Sequence, residues 1–520
     1  MKQGTFRILG YCAVSIAGMT AAAHARQPEI IYTKISGHPT AVVPGAVDLA
    51  GQPVFTEWRA LEDFAFSPDG SRWVIKGRTQ LGSDLETILV SGQGAVGTML
   101  AQEGQPIPGG APGEVFDFFG SGLGRWNTLN QFAYSARARG GIASVFQKVI
   151  VSDQSGSDIV LQMGDPILGL VDQSPNPSGD ETFGNSVGSV HILDNGVIGT
   201  QDSTILSIHT SRRPAIMYNG SAFHQANVTM VTSLNGAGTE TWKSIAANTF
   251  YTTPDGAHWV AEGTVNQSTA TDAVLVVDGQ VRLQEGMLIP GSTVTMNAIF
   301  ANGVTAGGVW FARGDQAGGN DWAVVSGTVV ARTGDPVANG NPEAWGAVFA
   351  ALAASDAGDW VLAGITDHSD PATNEVIVLN GERVLLREGD QVDLDGDGTL
   401  DDAFIGRGNN TLSAFEPNDL FLTGDGLLYC FANLRNAAGQ DLNSTPVFGT
   451  PQAFMVLPVN DGPICSCDWN ADGFLNSQDF FDFTVAFFGD NSDFNNDGVT
   501  NSQDYFDFLQ CFFAPPKGCK

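Results

Sequence analysis

A glycine closing an apolar run returns along most of this chain at nearly constant spacing: Gly37, Gly104, Gly164, Gly286, Gly334 and Gly389. A recurring unit of this size is a supersecondary piece that cannot bury its own apolar face, so copies must stack to make a core. The 122-residue gap from Gly164 to Gly286 has room for one further, degenerate member near Ala226. A second anchor alternates with the first, in turns such as Ser67-Pro68-Asp69-Gly70, Asp194-Asn195-Gly196, Pro254-Asp255-Gly256, Ala357-Gly358 and Asp425-Gly426. Together they divide residues 26–457 into about seven units of 48 to 67 residues.

Within the units, two-residue turns join β-branched runs. Val274–Val277, Asp278-Gly279 and Gln280–Leu283 read as a hairpin, and Val376–Leu379, Asn380-Gly381 and Glu382–Leu386 repeat it. Trp322–Val325 with Ser326-Gly327, and Ala215–Tyr218 with Asn219-Gly220, follow the same plan. With 64 glycines, only 15% charged residues and frequent Val, Ile and Thr, the composition is that of turn-rich β structure. Antiparallel hairpins repeated in this way predict a mainly β fold, a β-propeller of about seven four-stranded blades. A string of β-sandwiches and an irregular β-rich solenoid are the alternatives. The Ser67-Pro68-Asp69-Gly70 turn ahead of Arg72 is similar to turns in propellers of the periplasmic translocation type.

The end of the chain obeys another rule. Asp468, Asn470, Asp472, Gly473, Asn476 and Asp479 recur 25 residues later as Asp493, Asn495, Asp497, Gly498, Asn501 and Asp504. Ca²⁺ takes hard oxygen ligands from positions 1, 3, 5, 7, 9 and 12 of a short loop turned by a glycine at position 6. Phe474 and Val499 fall at position 7, where the backbone carbonyl serves. Pro458 and Pro463 forbid a helix leading into the first loop, so each unit is a loop followed by one helix.

That arrangement, with Asn-Ser-x-Asp closing each loop, resembles the dockerin domain, a calcium-folded module that docks onto a cohesin partner. The flanking Cys465 and Cys467 and the terminal Gly518-Cys519 resemble the variant found in secreted planctomycete proteins. The resemblance covers residues 465–520, with 458–464 as a linker. It implies one Ca²⁺ held by Asp468, Asn470, Asp472, Phe474, Asn476 and Asp479, and a second by Asp493, Asn495, Asp497, Val499, Asn501 and Asp504. Position 12 is Asp in both loops, where an ordinary EF-hand has Glu. It also implies a cohesin-like partner that meets loop positions 10 and 11, here Ser477, Gln478, Ser502 and Gln503. Both pairs are Ser-Gln, so a partner can engage either half after a half turn; Gln stands where Thr is commoner.

In the helix after the first loop, Phe480, Phe483 and Phe487 share one stripe, which suits a core common to the two units. Phe481 and Phe488 lie on a neighbouring stripe and read as extra core, with an exposed docking face as the alternative. So small a module needs staples. Two Ca²⁺ ions, and disulfides linking Cys465 and Cys467 to Cys511 and Cys519, would provide them; four cysteines allow three pairings and the sequence leaves them open.

One more acidic loop lies inside the repeat region. Asp393, Asp395, Asp397, Thr399 and Asp401 match part of a calcium loop, but Phe404 stands at position 12, so a third ion there needs a more distant carboxylate. At the other end, Lys2 and Arg7 precede an apolar stretch from Ile8 to Ala23, and Ala23-His24-Ala25 fits a cleavage site. Residues 1–25 therefore read as a secretory signal peptide. The expected location is secreted, extracellular or periplasmic, where disulfides and weak calcium sites persist. No later run approaches the ~18 apolar residues of a membrane span. Cys430 reads as a buried core thiol.

Removing Lys2 and Arg7 leaves 22 basic against 56 acidic residues, a net charge of −34. Such a surface repels nucleic acid and anionic membranes and favours cations. There is no His-Glu-x-x-His pair, no Gly-x-Ser-x-Gly elbow, no phosphate loop and no dinucleotide fingerprint. The reading is a secreted, calcium-binding dockerin-type protein: a non-catalytic propeller that binds or scaffolds, attached through its tail to a cohesin-like partner. The alternative is a carbohydrate-active enzyme, a glycoside hydrolase or lyase delivered to a polysaccharide-degrading complex. A central funnel of carboxylates and aromatic rings favours the second, and a plugged channel the first.

Overall fold

The computed structural model describes residues 27–459 except 121, 143–144, 172–180, 203–213, 219, 290–291, 317, 409–412 and 443–451; beyond them it describes 467, 469, 475, 477–489, 492, 494 and 500–515. The expected signal peptide and most of the expected calcium ligands therefore lie outside the described residues.

The repeat region is a ring of seven antiparallel sheets, each with a path of four strands. Their first strands are Trp58–Phe66, Val115–Phe119, Val187–Ile192, Trp242–Ile245, Met296–Val304, Trp345–Ala354 and Phe415–Leu422, which number the blades 1 to 7. Blade 7 takes its next two strands from Leu427–Ala432 and Ala453–Pro458, and its outermost from the other end of the chain, Glu29–Thr33. The last strand runs one residue past the expected boundary at 457.

Closure shows in the packing. Seven separate apolar cores fill the seven gaps between neighbouring blades. The core that closes the ring sets Tyr32, Phe431 and Phe454 of blade 7 against Trp58, Trp73 and Ile75 of blade 1. Separate sandwiches would bury their faces within sheet pairs; here every sheet is covered on both sides by its neighbours.

The glycine anchors have a structural cause. Gly104, Gly164, Gly286, Gly334 and Gly389 each stand two residues past the outermost strand of a blade, at φ between +75° and +99°. From there their amides donate to Phe116, Phe183, Met296, Trp345 and Ile405 respectively, mostly at the start of the next blade. L-residues reach this left-handed region only at a cost, hence the glycine. The degenerate member sits at Asn227, one residue from the expected Ala226: φ is +60° and its amide bonds to the Trp242 carbonyl. Asn is the side chain that best tolerates this conformation. The expected hairpin turns Asp278-Gly279, Ser326-Gly327 and Asn380-Gly381 have two successive positive φ values and join third to fourth strands.

Strand register follows one rule in all blades. The middle strand pair runs in continuous register, whereas the innermost and outermost pairs each carry at least one shift. Bulges bend a strand and re-aim its side chains, which matters most where the inner strands converge. Among the described residues no helix is long and apolar enough to cross a membrane.

The tail forms two helices, α1 (Ser477–Phe488) and α2 (Ser502–Phe513). Phe483 and Phe508 are fully buried between them, and Phe480 and Phe487 pack at the margin as the stripe predicts. Phe481 and Phe488 do not join that core: they are 59% and 80% exposed. Two twelve-residue helices have a single shared seam, and it is filled by the first stripe.

Candidate functional site

Two places gather functional side chains. The first is the ring axis. Among the described residues, two side-chain contacts link blades that are not neighbours. Arg125 of blade 2 lies over the Tyr251 ring of blade 4, with its guanidinium carbon 3.9 Å from the centroid. Arg313 of blade 5 donates to the Asn418 carboxamide of blade 7 at 2.8 Å and to the Phe349 carbonyl of blade 6, also at 2.8 Å. Asn418 sits at φ +66° within the bulge between Phe415 and Leu420.

Around these, blade 1 contributes Asp63 from the bulge after Leu61. Its carboxylate accepts from the Leu123 amide at 2.9 Å and from its own neighbour Phe64. Burial raises the Asp63 pKa, and the Leu123 amide, Lys76 and Arg125 oppose that rise. Asp419, beside Asn418, is pushed well above the usual carboxylate range, first by burial and then by the negative charges of Asp63 and Glu416. It accepts no hydrogen bond among the described residues. Both carboxylates nevertheless keep some contact with solvent. Burial also lowers the Arg125 pKa and brings that of Arg313 to about 10.

Apolar surface borders the charges. Phe118, Phe300 and Val348, all on first strands, are 43%, 50% and 49% exposed. Lys76 lies over the Phe118 ring at 5.2 Å, and Arg313 near that of Phe300 at 5.9 Å. His191 is sealed away: it bonds the Ser189 carbonyl at 2.9 Å, and burial brings its pKa down to about 4. The sequence held no hint of this assembly, since its members come from six blades. The register shifts that aim them depend on pairing partners far away in the chain.

The second place is the helix pair. Asp479 and Asp504, the expected closing residues of the two calcium loops, are fully buried at equivalent points of α1 and α2. Asp504 accepts from the Asn501 amide at 2.7 Å and from the Phe494 amide at 2.9 Å, so it folds back over the start of its own loop. Asn501 caps α2, accepting from Gln503 at 2.8 Å. Ser477, Gln478, Ser502 and Gln503 are exposed. Gln478 donates to Asp482 at 2.8 Å and Gln503 to Asp507 at 2.7 Å, the same i, i+4 bond in each half. Cys467 bonds to Cys511. Cys465, Cys519, Asp468, Asn470, Asp472, Phe474, Asn476, Asp493, Asn495, Asp497 and Val499 lie outside the described residues.

In the acidic loop of the propeller, Asp393, Asp395 and Asp401 bring one oxygen each within 4.8 Å of one another. Asp397 is not among them; its carboxylate accepts from the Thr399 amide at 2.7 Å. One oxygen from each makes three of the six to eight that Ca²⁺ takes. Cys430 is a free, buried thiol, as expected.

No family model matches this chain. No curated protein matches it either. Among solved structures it is similar to the β-propeller domain of the Trilobed protease from Pyrococcus furiosus, with 9% identity over 76% of this chain and 100% of that one, at a TM-score of 0.34. It is also similar to prolyl oligopeptidase B from Galerina marginata, with 11% identity over 74% of this chain and 46% of that one, at a TM-score of 0.33. A third is the Pyrococcus horikoshii acylaminoacyl peptidase, with 10% identity over 73% of this chain and 52% of that one, at a TM-score of 0.35. The chain thus spans about half the length of the two full peptidases. These likenesses carry nothing about activity.

Proposed function

We propose that this is an exported, dockerin-type protein: a non-catalytic seven-bladed propeller that binds a ligand at its axis and is attached through its calcium-organised tail to a cohesin-like partner. The observation that carries the reading is the duplication in the tail. Asp479 and Asp504 are buried alike, Gln478 and Gln503 make the same bond, and Ser477 and Ser502 are presented alike. Residues 465–520 hold nine aspartates and only two basic residues, Lys517 and Lys520. Burying carboxylates without basic partners is costly unless a cation compensates them. Two Ca²⁺ ions bound through the loop oxygens would supply that charge and fix the loops against α1 and α2.

The test uses the full-length chain. With calcium it should be retained by an immobilised cohesin module, and with a chelator it should be released. Replacing Ser477, Gln478, Ser502 and Gln503 together should weaken retention without unfolding the tail. Retention indifferent to calcium and to the four substitutions would reject the reading. The Asp63 and Asp419 carboxylates at the axis favour a second reading, a carbohydrate-active enzyme, since glycosidases work with two convergent carboxylates. Release of reducing ends from polysaccharides, abolished by Asp419→Asn, would favour it over the first.

A further inference from the structure

We propose that the helix pair carries two docking faces turned away from each other, and that both are filled at once, each by its own copy of a partner protein bearing an apolar patch bordered by basic residues. The inference rests on the tail being a partner-binding module and adds the partner's surface chemistry and the number bound. On α1 the exposed apolar side chains are Phe481, Val485 and Phe488, at 59%, 74% and 80%. On α2 Phe506 and Phe513 stand 25 residues after Phe481 and Phe488 and are 62% and 75% exposed. At 3.6 residues per turn, each of these four phenylalanines lies about 150° around its helix from the seam residue, Phe483 or Phe508. The same outward stripe passes through Ser477 and Gln478 on α1 and through Ser502 and Gln503 on α2. The exposed rings therefore extend each Ser-Gln pair into one continuous face per helix.

The way the helices meet sets the number. Ring centroids of Phe480 and Phe512 are 6.0 Å apart and those of Phe487 and Tyr505 5.3 Å, on either side of the Phe483–Phe508 pair, so the helices run antiparallel. Phe480 is the equivalent of Tyr505 and Phe487 of Phe512, so a half turn about that pair exchanges α1 and α2. Because each face points away from the shared seam, a partner seated on one leaves the other open. Exposed apolar surface of this kind, rimmed by polar side chains, marks a protein interface. Charge selects the occupant. Of the nine aspartates in 465–520, six belong to the calcium-loop pattern; Asp482 and Asp507, two of the other three, stand beside Phe481 and Phe506. Each accepts from the glutamine of its own face. Lys517 and Lys520 are the only basic residues of the tail, so a second copy of it would bring like charge to this face. A partner with Lys or Arg around an apolar patch brings the complement.

The test is the stoichiometry of the full-length protein with a soluble cohesin module, in calcium, read by sedimentation velocity and isothermal titration. Two modules per chain are expected, with affinity falling several-fold from low to high ionic strength. Phe481→Gln with Phe488→Gln should leave one module bound, as should Phe506→Gln with Phe513→Gln, and all four together should leave none. Phe481→Leu with Phe488→Leu keeps the apolar surface and should restore two, which separates loss of the face from loss of the fold. A ratio of one that survives either glutamine pair means that the halves alternate; it overturns the proposal and leaves partner docking intact. A ratio of two unchanged by all four substitutions overturns the role of the rings, and affinity indifferent to salt overturns the basic border. Self-association of the chain alone, lost in the fourfold variant, gives the faces to a second copy and overturns the proposal likewise. Absence of any complex overturns it together with the reading on which it rests.

Discussion

Phe483 and Phe508 lie face to face, 3.9 Å apart between ring centroids and only 5° from parallel. Each stands four residues after the aspartate that closes its loop, so the two halves of the tail meet at equivalent points. The stack is the centre of a very small core, completed by Trp469, Phe494 and the Cys467–Cys511 bond. A core this size has no spare contacts. Phe483→Ala or Phe508→Ala should cost the tail about 3–5 kcal/mol, enough to unfold a module of marginal stability. Calorimetry of the full chain should show the tail's transition lost and the propeller's unchanged.

Asn227 takes the left-handed position that glycine fills in five other blades. Asn227→Gly should be tolerated, whereas Asn227→Ala should lower propeller stability by about 1–2 kcal/mol, the cost of a β-carbon in that conformation. Denaturant titration of the two variants side by side checks this. Equal stability of Gly and Ala would mean that the backbone relaxes.

Tyr32 belongs to the strand that the N-terminal segment lends to blade 7, and its ring packs against Trp58 and Trp73 at 5.6 and 5.7 Å. Because this contact closes the ring, Tyr32→Ala should cost about 3–5 kcal/mol and expose the N-terminal strand to protease. Limited proteolysis followed by mass spectrometry reads the cut. Cleavage elsewhere first would show that another gap is weaker.

Burial lifts the Glu262 carboxyl to about 7, with a hydrogen bond from Asn302 opposing the rise. In the unfolded chain a glutamate titrates at about 4.3. The folded protein therefore retains a proton that the unfolded chain gives up. Glu262 contributes stability that is full below about pH 4 and is lost as pH rises through about 7. Glu375, also raised to about 7 mainly by burial, acts in the same direction. Glu262→Gln should lose less stability than the parent between about pH 5 and pH 7.5, measured by urea unfolding. An unchanged slope would place the titration elsewhere.

Much of this architecture was legible one residue at a time. Gly104, Gly164, Gly286, Gly334 and Gly389 betray the period because a positive φ is a local demand that only a few residue types meet. Asp278-Gly279 and Asn380-Gly381 betray the hairpins for the same reason. The helical stripe of Phe480, Phe483 and Phe487 follows from the 3.6-residue turn alone. Phe481 and Phe488 were misjudged, because how much interior a module offers depends on how its helices meet.

Local backbone chemistry thus wrote the period, the turns, the helix faces and the duplicated acidic loops into the chain, since each depends on residues within one turn or one strand. Ring closure by Glu29–Thr33, the pairing of Cys467 with Cys511, and the reach of Arg125 to Tyr251 and of Arg313 to Asn418 across blades that are not neighbours belong to the tertiary structure. Those groups are separated by up to several hundred residues in sequence. What brings them together is the packing of seven sheets around one axis, and no stretch of sequence carries that distance.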